Sequence, residues 1–296
     1  MASTKSPKDG GILEVLRTGT PSTKASSSLA AKALRDLRWR QTFLGKDEYV
    51  LEVGGEDLRL LQSARHDELG TGATVWPAAH ALARYFERRF FLPAVNKTTK
   101  TTTTTKGLRV VDLGTGTGAL GLCAARLGAT ASLTDVGPVL DLARANATRN
   151  GLELGEKLKV FELDWGGSTS LAEEEYDVVL ASECVLPQLY PMAPFADVVA
   201  RLLLGGPSTA VALVSYEHRP YPAFDPRIEF PRLLRDRGLD VAVVDDDFLD
   251  PDYAADDLII WEIFTTKKKE GNDDDDSGTF SSSRKALVCV EPWSHA

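Results

Sequence analysis

The chain has 296 residues, 43% hydrophobic and 26% charged, with a formal net charge of −9. That is enough apolar material for one sizeable core, and the acidic balance argues against a nucleic-acid partner, whose footprint is a basic stripe. Three cysteines (Cys123, Cys184, Cys289) without a CxxC pair argue against a disulfide framework, four histidines without HxxxH spacing give no metal site, and no run approaches the ~20 apolar residues of a membrane span.

In chain order, residues 1–28 are rich in Ser, Thr, Lys and Gly, and a largely disordered segment is expected over 1–45. It lacks the apolar core of a secretion signal, so a reducing, cytoplasmic setting is the default. Its excess of basic over acidic residues keeps an organelle transit peptide open, as the nucleus stays open. "YVLEVGGEDLRLLQ" (49–62) alternates around Gly54–Gly55 and predicts a β-hairpin. "TVWPAAHALARYFERRF" (74–90) predicts a helix with Trp76, Ala79, Leu82, Ala83 and Phe86 on one face. "NKTTKTTTTTK" (96–106) is low in complexity and reads as an expanded surface loop.

Seven strands are predicted next, at 108–113, 130–135, 157–163, 176–182, 210–216, 239–245 and 258–264. Helical patterns fall between most of them: "GALGLCAARLG", "GPVLDLARANATRNG", "APFADVVARLLLGG" and "IEFPRLLRDRG", each closing on glycine, with Pro231 expected in the first turn of the last. Successive β-then-α units imply a mostly parallel sheet covered on both faces. The last two strands are joined only by "DFLDPDYAADD", which has no apolar helical face, so they are expected to pair as an antiparallel hairpin at the sheet's end. The fold class is therefore α/β, Rossmann-like: a seven-stranded mostly parallel sheet, its final strand antiparallel, under an N-terminal hairpin and helix. A folded domain over 46–266 and a charged, disordered tail over 267–296 complete the organisation, with "ALVCV" (286–290) undecided between a strand and a frayed end.

The stretch that carries chemistry is "VVDLGTGTGALG" (110–121). A glycine loop between a strand and a helix lets backbone approach a ligand at the positive end of a helix. Gly114, Gly116 and Ala119 fit G-x-G-x-x-G/A, the dinucleotide fingerprint. Other features favour S-adenosylmethionine. Asp112, two residues before Gly114, would repel a pyrophosphate but hold the ammonium of an amino-acid ligand. Asp135 ends the next strand, where a carboxylate can accept both ribose hydroxyls of either ligand class. In "LDWG" (163–166), Asp164 can accept from an adenine amino group while Trp165 flanks the ring. More than 100 residues precede the loop, unlike many nucleotide domains that begin near it. Each residue also has a plainer reading: a strand-end acid for Asp112, a helix cap for Asp135, a core ring for Trp165 and an exposed charge for Glu183.

As a set, "VWPAAHALARYF", "VVDLGTGTGALGLCAARLGA", "LTD", "LDWG" and "YDVVLASECV" resemble, in order, the METTL21-like (family 16) lysine methyltransferases of the seven-β-strand, class I group, over roughly residues 46–266. The resemblance implies S-adenosyl-L-methionine as cofactor and lysine side chains of a protein as acceptor; a monomer is expected, and the acidic charge and lack of an apolar span point to neither nucleic acid nor membrane as partner. It places Trp76, Gly114, Thr115, Gly116, Asp135, Trp165 and Ser182, with Ala181 beside it, around the cofactor. The family's D-x-x-Y motif falls on Glu183, Cys184, Val185 and Leu186. The acid is kept, and Glu183 is expected to orient the acceptor amine and take its proton. Leu186 replaces the tyrosine, whose part falls to Tyr190 or Tyr216 if it is kept at all. "SYEHRPYPAFDP" (215–226) offers Tyr216, His218, Arg219 and Tyr221 to the substrate mouth, or is ordinary loop polarity. Alternatives left open are a small-molecule or other-residue methyltransferase and a non-catalytic interaction protein on the same fold. A nicotinamide-linked oxidoreductase is opposed by Asp112 and "LDWG".

Overall fold

The computed structural model describes residues 46–62, 69–91, 107–167, 174–222 and 224–265. The N-terminal segment before residue 46, the Thr-rich loop 96–106, and the tail 267–296 with Cys289 lie outside them. The described chain opens with β1 (Glu48–Val53) and β2 (Glu56–Leu61), paired antiparallel in the expected hairpin. Gly54 and Gly55 turn the chain with φ of +62° and +81°, the two positive values a tight hairpin of this hand requires. Leu51, Val53, Leu58 and Leu60 are fully buried, so the alternation fixes the register.

A 3₁₀ turn at Gly70–Ala73 leads to α1 (Pro77–Phe90), with Trp76 just before its first residue and Pro77 in the first turn, where a missing N–H costs nothing. The sheet strands are β3 (Arg109–Leu113), β4 (Thr130–Asp135), β5 (Leu158–Glu162), β6 (Val178–Ser182), β7 (Val211–Glu217), β8 (Leu239–Val243) and β9 (Leu258–Thr265), all within two residues of expectation. Between them run α2 (Ala119–Arg126), α3 (Val139–Arg149), α4 (Met192–Gly205) and α5 (Pro226–Arg235). The order across the sheet is β5-β4-β3-β6-β7-β9-β8. Every pairing is parallel except those of β9, which runs against both β7 and β8. The reversed strand is last in sequence but not at the edge: β9 inserts between β7 and β8 and leaves β8 outermost. Among the described residues no helix is long and apolar enough to cross a membrane.

One expectation shifts. Pro231 is not in the first turn of its helix. The Asp225 side chain accepts from the Arg227 N–H at 2.9 Å, and Pro226 sits in the first turn. This cap starts α5 two residues earlier than its apolar pattern suggests, and Pro231 falls inside the helix. On this face of the sheet Phe195 of α4 stacks on Phe230 of α5 (5.5 Å), which packs on Trp261 of β9 (5.4 Å). Each buried aromatic of this kind contributes about 2–3 kcal/mol. On the other side Asn146 of α3 ties the hairpin to the glycine loop. Its Oδ1 accepts from Leu61 N (2.6 Å), and its Nδ2 donates to the carbonyls of Leu61 (3.1 Å) and Thr117 (2.8 Å). The ends of β3, β4, β6 and β7 thus share one edge, where open α/β sheets bind ligands.

Candidate active site

At that edge β3 runs into Gly114–Gly118 and then α2. Gly114 and Gly116 have φ of +66° and +54°. A Cβ on Gly114 would stand 2.8 Å from Cys184 Sγ, and one on Gly116 would stand 2.8 Å from the Gly72 carbonyl. The loop is therefore pressed between the end of β6 and the Gly70–Ala73 turn, and only glycine fits. Asp112, one residue before the end of β3, is 1% exposed. Its Oδ2 accepts from Thr115 Oγ1 (2.5 Å) and Gly121 N (2.9 Å), while its Oδ1 is buried without a partner. Burial pushes this carboxyl up to about 7, against the pull of those two donors.

Asp135, at the end of β4, grips the same loop: Oδ2 accepts from Gly116 N and Oδ1 from Val136 N, both at 2.8 Å. Each oxygen keeps a second lone pair, and burial raises this carboxyl as well. Asp164 is exposed and accepts from Gly166 N at 2.9 Å. Trp165 satisfies both of its readings: it packs on Phe195 (4.8 Å) and meets Tyr190 edge-on (5.9 Å), and it also faces Gly114. Trp76 is half-buried, its Nε1 donating to the Thr71 carbonyl at 2.9 Å. These groups enclose a cavity of about 520 Å³. It is lined by Trp76, Asp112, Gly114, Thr115, Gly116, Asp135, Asp164, Trp165, Ser182 and Glu183, so the structure brings together the residues expected around the cofactor with the expected acid Glu183.

The strap Leu69–Thr74 also lines the cavity, and sequence reasoning missed it. Its signal was "GTGA" (70–73), small residues just ahead of Trp76. Thr71 holds this strap on two sides, since its carbonyl accepts from Trp76 and its hydroxyl pairs with the Tyr190 hydroxyl. Cys184 was named only as part of a motif; it is a buried, free thiol bonding the Leu113 carbonyl at 3.3 Å.

The far wall is formed where β6 ends beside β7. Ser215 Oγ donates to Ser182 Oγ at 2.9 Å. Glu183 is the one non-glycine with positive φ (+58°) among the described residues, a backbone state costing about 1–2 kcal/mol. It is 5% exposed. Oε1 accepts from Glu217 N (2.6 Å) and Oε2 from Arg219 Nη1 (2.5 Å). Burial lifts this carboxyl to about 7, with Arg219 opposing. Tyr190 lines the cavity and Leu186 does too. The alternative Tyr216 is displaced from the site. It is fully buried, stacks on Trp261 at 5.6 Å and lies off the cavity. Nor do His218, Arg219 and Tyr221 line it. His218 N donates to the Asp257 carbonyl (2.6 Å), and Tyr221 stacks on Phe224 (5.2 Å). Arg219 reaches the wall indirectly, over the Trp76 ring at 5.8 Å and through Glu183. Among the described residues no group of three or more His, Cys, Asp or Glu is placed to hold a metal ion.

Chemically, the cavity offers an unpartnered buried carboxylate oxygen near the end of β3, a second acid held at a glycine loop, and a third acid near neutrality just beyond β6. Residues 54–224 match the profile of a family described as lysine methyltransferase. The chain is 35% identical over 136 residues to Protein N-lysine methyltransferase METTL21A of Danio rerio, covering 45% of this chain and 57% of that protein. It is 31% identical over 162 residues to EEF1A lysine methyltransferase 3 of Xenopus tropicalis, covering 54% and 64%. It thus spans about three-fifths of the length of these relatives. Among solved structures, the T. Thermophilus 16S rRNA N2 G1207 methyltransferase (RsmC), in complex with AdoMet and guanosine, superposes with a TM-score of 0.51. The identity is 15%, over 74% of this chain and 50% of that one, a likeness of fold.

Proposed function

Since the chain belongs to the lysine methyltransferase family, we propose that it is an S-adenosylmethionine-dependent methyltransferase acting on lysine side chains of a protein substrate. The observation that carries the reading is the buried Asp112 Oδ1 without a partner, on the wall of a cavity whose glycine loop tolerates no Cβ. The residues present fit such a cofactor. A buried anion suits an ammonium and repels a pyrophosphate. Asp112 would hold the amino-acid end, with the backbone of Gly114, Thr115 and Gly116 alongside. Asp135 would take the ribose hydroxyls, Asp164 and Trp165 the adenine, and Trp76 and Ser182 the walls between. Bound there, S-adenosylmethionine supplies a methyl group already activated on a sulfonium.

The chain's own task is then to position and deprotonate the acceptor. A lysine of ordinary pKa, about 10.4, must lose its proton before it attacks. Glu183 stands on the cavity wall at the end of β6, with a carboxyl near neutrality, suited to orienting the amine and holding its proton. Glu183 itself is 5% exposed, and so dry a setting disfavours the charged amine. We place the protein in the cytoplasm on the strength of its sparse cysteines, of which Cys123 and Cys184 are free and buried.

Calorimetry with S-adenosylmethionine and with NAD tests the cofactor; tighter NAD binding overturns it. Tritiated-methyl labelling of a cell extract, followed by mass spectrometry of the labelled bands, tests the acceptor. Labelled protein lysine supports the reading. Label confined to small molecules, or none at all, rejects it.

A further inference from the structure

Glu183 needs holding. Its left-handed backbone turns the side chain back along the exit of β7, where its N–H donates to the Ser215 carbonyl at 3.0 Å and Oε1 takes the Glu217 N–H. The other oxygen meets Arg219, 36 residues downstream. The Arg219 guanidinium is fixed from several sides. Nη1 donates to Glu183 Oε2 at 2.5 Å and to the Glu217 carbonyl at 3.0 Å, and the planar group lies over the Trp76 ring. Its backbone N–H donates to Tyr216 Oη at 3.2 Å, and Tyr216 is itself locked against Trp261. One guanidinium therefore joins two residues that line the cavity, the acid Glu183 and the indole of Trp76.

We propose that Arg219 is a positioning residue, which keeps the Glu183 carboxylate ionised and fixed at the cavity wall and braces Trp76 beside it. The proposal rests on Glu183 being the acid beside the acceptor amine. The titratable groups facing Glu183 are Arg219 and Glu217 at the exit of β7, Tyr216 within β7, and the adjoining Cys184. Trp76, on the side of α1, carries no charge. Of these, Arg219 is the cation, and Glu217 acts in the opposite sense. A carboxylate as buried as Glu183, deprived of its cation, takes up a proton. Already protonated, it can no longer act as the base that takes one from the acceptor. Arg219 is suited to this part because its side chain stays 34% exposed while the acid it serves is 4% exposed, and its ion pair with Glu183 opposes the cost of its own burial.

The test uses Arg219→Met, which keeps the apolar stem over Trp76 and removes the charge, and Arg219→Lys, which restores a charge without the fork. In cofactor-free protein, the Glu183 carboxyl is followed by carbon-13 NMR, assigned through the signal lost in Glu183→Gln. Its titration midpoint rises by about one pH unit or more in Arg219→Met and returns part of the way in Arg219→Lys. With cofactor saturating, turnover of Arg219→Met falls roughly tenfold at pH 7 relative to the unaltered enzyme and recovers toward pH 9. A purely structural role predicts the same fractional loss at every pH. An unmoved Glu183 midpoint, or a pH-independent loss, overturns the proposal. Thermal melts establish that the variants fold; if Arg219→Met does not, the midpoint in Arg219→Lys decides alone. Full turnover in Glu183→Gln removes the acceptor-side reading of Glu183, while the NMR titration still judges its ionisation by Arg219.

Discussion

Asp112 and Glu183 lie at the ends of adjacent, parallel strands, β3 and β6, both almost fully buried and both lifted to about 7 by burial. Their partners differ. Those of Asp112 are local, a hydroxyl three residues away and an N–H nine away, and one oxygen is left without a donor. Those of Glu183 come from 34 and 36 residues away and engage both oxygens, one of them with a cation. A buried acid with an unused oxygen is a receptacle, since any bound cation relieves its desolvation. An acid already paired is held in one place near its point of titration, which suits proton handling. On the proposed reading, the same residue chemistry would serve cofactor binding at Asp112 and reaction at Glu183.

Glu183→Gln gives the largest expected break between the two ends. It removes the titrating group and keeps the shape, so turnover falls by about 10²–10⁴ while calorimetry shows cofactor affinity little changed. A parallel loss of cofactor affinity would mean that the ends are not separable. Asp112→Asn is the mirror experiment. The amide oxygen still accepts from Thr115 and Gly121, but the anion is gone. Cofactor affinity drops by about 10- to 100-fold, the worth of a hydrogen bond to a charged group, and turnover at saturation is retained.

The same variant sharpens the receptacle through stability. Asp112 has its folded pKa raised above its unfolded value. Between the ordinary carboxylate range and about pH 7 the folded state therefore holds a proton that the unfolded state lacks. Its contribution is fully present below the unfolded pKa and is lost as pH rises through the folded one. Urea melts of the cofactor-free protein at pH 5 and pH 8 should show Asp112→Asn gaining, relative to the unaltered chain, on the order of 2 kcal/mol on going to pH 8. An equal effect at both pH values would place the carboxyl in an ordinary, ionised state.

Locality also explains what was legible in the sequence. The glycine loop, Asp112, Asp135 and the Trp165 turn lie in one stretch of β-α-β-α-β chain, and each is positioned by its own strand end. Their gathering follows once the strands are found. The strap was not legible because Gly72 meets Gly116 across 44 positions and carries no chemistry of its own. Tyr216 was misplaced for a reason particular to covered sheets. Six successive residues of β7, Val211 to Tyr216, are buried, so no polar alternation marks which face looks at the site. Ser215 faces Ser182 and Tyr216 faces Trp261. Arg219 was singled out only as one polar loop residue among several, because Glu183 and Trp76 reach it from the end of β6 and the start of α1, far away in sequence.

Tyr190 lies where the two ends meet, and its removal is the smallest and most discriminating change. Its ring meets Trp165 edge-on, and its hydroxyl pairs with Thr71, whose carbonyl holds the Trp76 indole. By these contacts Tyr190 belongs to the strap, and hence to the cofactor end. It also stands four residues after Leu186, which occupies the position of the expected tyrosine and lines the same cavity. Tyr190→Phe keeps the ring and deletes one hydrogen bond worth about 0.5–1.5 kcal/mol. If the strap reading holds, cofactor affinity weakens roughly two- to tenfold and turnover at saturation is unchanged, because the loss falls on the segment that covers the cofactor. If turnover falls while affinity stands, the phenol works on the acceptor. Tyr190 would then supply from the next turn of chain what Leu186 cannot, and the acceptor end would extend across the cavity to the strap.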